Sequence, residues 1–221
     1  MQHNFGEAQL TIENQIEQRD GWWWPKDDVQ AWKWIPQEIA AIPDLVKWVP
    51  NRNLVLHAGG NCGVWSNIYA ELFDKVVTFE PNDINYECFK RNVNNPKVEI
   101  YKAGLSDKEG FCRSVEGDEG QNFGALQIEE AEEGIPMMTI DSLNIDPDLI
   151  QLDVEGFEEN ALKGAFNTIM RARPVIIIEQ KRLAKNGMDD AEIAIMIQKL
   201  GYFFAERVWS DNVFIPAERV N

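Results

Sequence analysis

Three carboxylates close three apolar runs: Glu80 after "VVTF", Asp153 after "LIQL" and Glu179 after "VIII". A fourth run leads into glycines, in "LVLHAGGNCGVWSNIYAELF" (54–73). There an extended stretch turns into an amphipathic pattern, which reads as strand, turn and helix. Such a turn favours an anion, because free N–H groups and the helix dipole point at it. Glu80 lies about 20 residues beyond the first glycine, the spacing at which a carboxylate accepts both hydroxyls of a ribose. A nicotinamide dinucleotide and the methyl donor S-adenosylmethionine (SAM) both fit so far.

The glycine spacing separates them. A dinucleotide fingerprint wants glycine at positions one, three and six. Counted from Gly59, those positions hold Asn61 and Val64; counted from Gly60, they hold Cys62 and Trp65. Either register puts side chains where a pyrophosphate or a close helix contact needs none. SAM has no pyrophosphate, and Gly-x-Asn-x-Gly can receive its smaller methionine end.

The elements that must position these residues alternate. Strands are expected at 54–58, 76–80, 98–103, 149–153 and 174–179. Helices are expected at 37–49, 64–73, 82–93, 158–172 and 189–201. The run "PVIIIE" suits a strand buried on both faces. "YFFAERVWSDNVFIPA" reads as a hairpin turning at Ser210-Asp211-Asn212. Residues 106–140 are acidic and glycine-rich and read as a hairpin excursion or loop. The alternation implies an α/β fold with a mostly parallel, doubly wound sheet and an antiparallel C-terminal hairpin. Ligands of such sheets sit beyond the carboxyl ends of the strands. That rule places Gly59–Gly63, Glu80, Ala103–Ser106, Asp153–Glu155 and Glu179–Lys181 on one rim.

Composition narrows the partners. With 21 basic and 37 acidic residues, the net charge of -16 repels nucleic acid. Three cysteines without CxxC spacing and two histidines argue against a disulfide framework or a zinc site. No signal peptide or membrane span is evident, so a cytoplasmic protein with no membrane partner is expected. Oligomeric state is left open. Residues 1–50 hold six of the eight tryptophans, which suggests an N-terminal extension or lid before a ligand-binding domain at 51–221. In "WWWP", Trp22, Trp23 and Trp24 cannot all face one way; core packing competes with a lid over substrate.

"GGNCG", "VVTFEPNDINYECFKRNV", "AGLSDKEG", "MTIDSL", "LIQLDVEGFEENALKGAFNTI" and "RPVIIIEQ" together resemble the FkbM family of SAM-dependent methyltransferases. The likeness runs from about residue 54 to 216 of this sequence, most specifically in "DVEGFEENALKGA". It implies a Rossmann-like class I methyltransferase sheet of seven strands, SAM as cofactor and O-methylation of a small-molecule or glycan hydroxyl. The "WWWP" leader also resembles phage-encoded relatives, a source that would place the protein in a host cytoplasm.

The resemblance implies roles. Gly59, Gly60, Asn61 and Gly63 would hold the methionine end of SAM. Glu80, Pro81 and Asn82 would bind the ribose and cup the adenosine, with Gly104 and Leu105 flanking adenine. Asp153 would sit beside the sulfonium, binding the SAM ammonium or the acceptor. Glu158 reads better as a helix cap. Asp153, Glu155, Glu179 and Lys181 are the candidate bases, Lys181 standing where relatives carry His. No metal is required, although Asp153, Glu155 and Glu179 could share a divalent ion. His57 replaces a common Asp, so modest SAM affinity is expected, falling below pH ~6.5 as the imidazole charges. A nicotinamide oxidoreductase and a non-catalytic carbohydrate- or protein-binding module are the rival readings.

Overall fold

The computed structural model describes residues 12–115, 122–179 and 190–220. In chain order the first strands are β1 (Ile16–Arg19), β2 (Trp22–Pro25), β3 (Leu54–Ala58), β4 (Lys75–Phe79) and β5 (Val98–Tyr101). Then come β6 (Gly104–Leu105), β7 (Gly110–Val115), β8 (Gln127–Ala131) and β9 (Ile135–Met138). The last are β10 (Leu149–Leu152), β11 (Val175–Glu179), β12 (Tyr202–Val208) and β13 (Asp211–Pro216). The helices are α1 (Ile35–Val46), α2 (Val64–Leu72), α3 (Asp83–Asn92), α4 (Glu158–Lys163), α5 (Phe166–Ala172) and α6 (Asp190–Lys199).

Seven strands form the central sheet in the order β12-β13-β11-β10-β3-β4-β5. The expected runs become its parallel part, and β13 pairs antiparallel with both β11 and β12. Every residue of β10 is buried, because helices cover both faces. Leu56, Val77, Leu162, Ile169 and Ile197 fill one layer. Leu45, Val55, Tyr69, Phe73 and Val76 fill the other. The one polar side chain inside β10, Gln151, is satisfied there by the Tyr69 hydroxyl, which donates to it. Among the described residues no helix is long and apolar enough to cross a membrane.

Four details differ from the sequence reading. The helix expected over 158–172 is two helices, α4 and α5. They part at Gly164, where a Cβ would lie 2.0 Å from the Ser106 carbonyl oxygen. The excursion at 106–140 contributes to a second sheet, β6-β9-β7-β8. The closing hairpin turns at Trp209-Ser210, with Trp209 at φ 57, so Asp211 and Asn212 already lie in β13. Finally, "WWWP" is a strand: β1 and β2 form a hairpin through Asp20 and Gly21, both at positive φ. That Asp-Gly pair is a strong hairpin signal in its own right.

The N-terminal hairpin is tied to the sheet domain by Asn92. Its Oδ1 accepts from Trp23 N at 2.7 Å, while its Nδ2 donates to Trp23 O at 2.9 Å and Cys62 O at 2.8 Å. The Arg91 guanidinium lies 4.7 Å from the Trp23 ring centroid.

Candidate active site

A cavity of about 670 Å³ opens beyond the carboxyl ends of the parallel strands. Of the sequence-derived candidates, His57, Gly59, Gly60, Asn61, Glu80, Pro81, Asn82, Gly104, Leu105, Asp153, Glu155, Glu179 and Trp24 line it. Gly63 does not: its added Cβ would meet Val93 at 2.4 Å and Phe89 at 3.1 Å, so it faces α3. Trp22 and Trp23 also lie elsewhere, packed in the cluster that joins the hairpin to α3. Trp24 alone of the three is buried and lines the cavity, its indole N–H donating to Asp28. Lys181 is outside the described residues.

The glycine turn is closed on itself. Gly59 N and Gly60 N donate to Phe79 O, and Gly63 N donates to Gly60 O. Asn61 N donates to Glu80 Oε2 at 2.7 Å, and Cys62 N donates to Asn61 Oδ1 at 2.6 Å. The free N–H groups expected of this turn are therefore spent internally, and it offers no ready cradle for a phosphate. Gly59 sits at φ +94, with Asp153 O only 2.0 Å from where its Cβ would be. The gap between the ends of β3 and β10 thus exists because Gly59 has no side chain.

Glu80 is buried at the end of β4. Its Oε2 holds Asn61 N, and its Oε1 accepts from Asn82 N at 2.8 Å. The Asn85 side chain adds a third hydrogen bond, which leaves one of the roughly four lone-pair sites of the carboxylate for a ribose hydroxyl. Burial pushes the carboxyl up to about 7, against the backbone hydrogen bonds that lower it. Asn82 caps α3 by accepting from Ile84 N and Asn85 N, fixing the adjoining wall.

His57, in β3, is buried among Ser66, Trp65 and Tyr69. Desolvation lowers its pKa to about 4, against the pull of Asp153. The expected loss of SAM affinity below pH ~6.5 therefore does not come from this imidazole, which stays neutral there. Its effect falls on stability instead. A base whose folded pKa is depressed contributes fully above pH 6.5, and that contribution is lost as pH falls toward 4. Urea unfolding at pH 7 and 4.5 should show His57→Gln losing about 2–3 kcal/mol less on acidification than the parent protein.

In the cavity wall, one oxygen each from Asp153, Glu155 and Glu179 lie within 4.8 Å of one another. Glu155 sits at φ 54 in the turn before α4, and Glu158 accepts from Val154 N and Gly156 N to close that turn. Asp211 pairs with Glu179 across β13 and β11. Its pKa is raised to about 7 by burial and by the charges of Asp153 and Glu38.

The sequence reading missed Glu38, Trp34 and Trp209, all of which line the cavity. Glu38 Oε2 accepts from Trp65 Nε1 at 3.0 Å, and burial raises its pKa, with Asp153 adding to the effect. Its position on α1, with apolar Ala41, Ile42 and Leu45 on the buried side, marks a helix near the rim but gives no chemistry by itself.

Comparison with known proteins completes the picture. The Methyltransferase FkbM domain family matches residues 57–204. No curated protein matches the chain. Among solved structures, an FkbM methyltransferase from Methylobacillus flagellatus KT is similar at TM-score 0.51 and 18% identity. That match covers 74% of this chain but only 43% of the other, so this chain spans less than half that protein's length. Magnesium protoporphyrin IX methyltransferase from Synechocystis PCC 6803, with bound SAM, is similar at TM-score 0.47 and 12% identity, covering 98% and 86% of the two chains. The matched family span takes in the glycine turn, Glu80 and the three-carboxylate cluster: the chain belongs to the FkbM family of SAM-dependent methyltransferases.

Proposed function

We propose that the protein transfers a methyl group from SAM to a hydroxyl of a sugar or similarly small acceptor. The observation that carries the choice of donor is the glycine turn. Its N–H groups are satisfied internally, which disfavours a pyrophosphate, while Glu80 just beyond it, held by Asn61 N, Asn82 N and the Asn85 side chain, keeps room to accept from a ribose hydroxyl. Gly59, Gly60 and Asn61 would border the methionine end without giving N–H groups to its carboxylate, and Pro81, Asn82, Gly104 and Leu105 would enclose the adenosine.

When bound, SAM supplies a methyl group activated by its sulfonium. The residues of the chain have three tasks. They align the acceptor hydroxyl with that methyl, since an in-line displacement gains most from orientation and exclusion of water. They balance the donor's ammonium, a role assigned to Asp153. They also take up the hydroxyl proton. Asp153, Glu155 and Glu179 are the described candidates for that base.

Calorimetry with SAM, S-adenosylhomocysteine and NAD in turn tests the reading. Micromolar binding of both adenosyl ligands and little binding of NAD are expected. Failure of both adenosyl ligands to bind at millimolar concentration would sink it.

A further inference from the structure

We propose that Asn85 holds one of the two ribose hydroxyls of the methyl donor, so that the diol is divided between the Asn85 side-chain carbonyl and the Glu80 carboxylate. This rests on the methyl-transfer reading above. It departs from the sequence reading, which gave both hydroxyls to Glu80.

The first support is a count of acceptors. A ribose diol brings two O–H donors. The ionised Glu80 carboxylate only accepts, at roughly four lone-pair sites. Asn61 N, Asn82 N and the Asn85 side chain occupy three of them. One hydroxyl has a place on Glu80, and its neighbour needs a second acceptor beside it.

The second support is an orphaned oxygen in the right place. Asn85 is the third residue of α3, and its N–H donates to the capping Asn82 Oδ1 at 3.1 Å. Side chains of a helix lean toward its N-terminus, which here is the end of β4 and Glu80. The Asn85 side chain is buried, at 2% exposure, yet borders the cavity. Its amide nitrogen carries two N–H groups. One donates to Phe123 O at 2.9 Å, and Glu80 takes the other. With both donors spent, the amide is held in one orientation. Its Oδ1 is buried and has no hydrogen-bond partner among the described residues. A buried carbonyl left unpaired is costly, and beside a cavity it points to a donor on the ligand.

The third support is the identity of that donor. SAM offers an ammonium, two ribose hydroxyls and an adenine amino group. The ammonium is assigned to Asp153, and the adenine to the wall at Gly104 and Leu105. Asn85 is hydrogen-bonded to the carboxylate that takes the first hydroxyl, so the hydroxyl on the adjacent ribose carbon is its natural partner. Phe123, just before β8, gives the second sheet a part in this. It anchors the amide from the side opposite Glu80 and thereby aims the carbonyl.

Calorimetry at pH 8 with S-adenosylhomocysteine and its 2′-deoxy, 3′-deoxy and inosyl analogues tests this. In the parent protein both deoxy analogues should bind more weakly. Loss of the Glu80 hydroxyl should cost about 10- to 150-fold, and loss of the Asn85 hydroxyl about 2- to 12-fold. In Asn85→Ala the smaller penalty should vanish while the larger persists. Two penalties that persist together or fall together in this variant overturn the proposal, since Asn85 would then act only through Glu80 or not at all. A parent protein that binds either deoxy analogue as tightly as the unmodified ligand also overturns it. If Asn85→Ala instead removes discrimination against the inosyl analogue, Oδ1 belongs to the adenine amino group. The parent alone supplies a second arm should the variant not fold. At pH 6, Glu80, which titrates at about 7, is mostly protonated. The larger penalty should then shrink, and the smaller should hold because an amide does not titrate. Asp153 and Cys62 also interact with Glu80, but with every ligand alike, so ratios of affinity cancel them. Penalties that shrink together place both hydroxyls on Glu80. Failure of unmodified S-adenosylhomocysteine to bind strikes the methyl-transfer reading and this proposal with it, whereas the pattern of penalties strikes only the division of the diol.

Discussion

A Gly59→Ala protein should be less stable than the parent by about 2–5 kcal/mol, from left-handed strain of about 1–2 kcal/mol and overpacking of about 1–3 kcal/mol. The cause is local. The residue holds φ +94, and an added methyl group would lie 2.0 Å from the Asp153 carbonyl oxygen. That oxygen is backbone, and Asp153 is tied to β3 by its N–H donating to Ala58 O at 3.1 Å, so it cannot move aside without disturbing the sheet edge. Gly156 supplies the control. It also has positive φ, +102, but an added Cβ meets nothing within 4 Å, so Gly156→Ala should cost only the strain, about 1–2 kcal/mol. Urea unfolding of both variants decides the matter: equal losses would refute the close approach at Gly59.

Glu80→Gln should weaken SAM or S-adenosylhomocysteine about 10- to 150-fold, the worth of a charge-assisted hydrogen bond of roughly 1.5–3 kcal/mol. The same substitution should abolish a pH effect. Glu80 titrates at about 7 in the protein, and the ionised form is the better acceptor for ribose hydroxyls. Affinity should therefore hold above pH 7 and drop below it, by up to about 10-fold per unit. Calorimetry at pH 8 and 6 measures this directly; a drop that survives in Glu80→Gln assigns it to another group. The stability term has the opposite sign. An acid raised by burial stabilises the fold below pH 4.5, and that contribution is lost as pH rises through 7. Between pH 4.5 and 6.5, Glu80 and His57 thus pull stability in opposite directions.

The parallel strands were legible because burial on both faces demands unbroken apolar text, as in Val175–Glu179. The strand ends then located Glu80, Asp153 and Glu179. What stayed hidden depends on contacts distant in sequence. Nothing near Gly164 announces the Ser106 carbonyl that forbids a side chain there. The second sheet was obscured because β7 and β8 are partly exposed strands with charged residues, leaving little alternation to read. Asp211 looked like a turn residue by type, yet it is buried opposite Glu179. Trp65 was read as core from its helix face; it packs there and also borders the cavity, a dual position that periodicity cannot distinguish. Glu38, Trp34 and Trp209 belong to no motif, and their convergence is set by the docking of α1 and the closing hairpin.

The family match ends at residue 204 and begins at residue 57. Trp34 and Glu38 precede that span, and Trp209 and Ser210 follow it, yet all four border the same cavity. The shared portion of the chain therefore carries the turn and acids assigned to the donor, while part of the remaining wall is built from segments that relatives need not share. Such a division lets the flanks diverge without disturbing the common machinery. We propose that these flanking segments help choose the acceptor; grafting the 12–50 segment onto another member of the family tests this by whether its choice of acceptor changes.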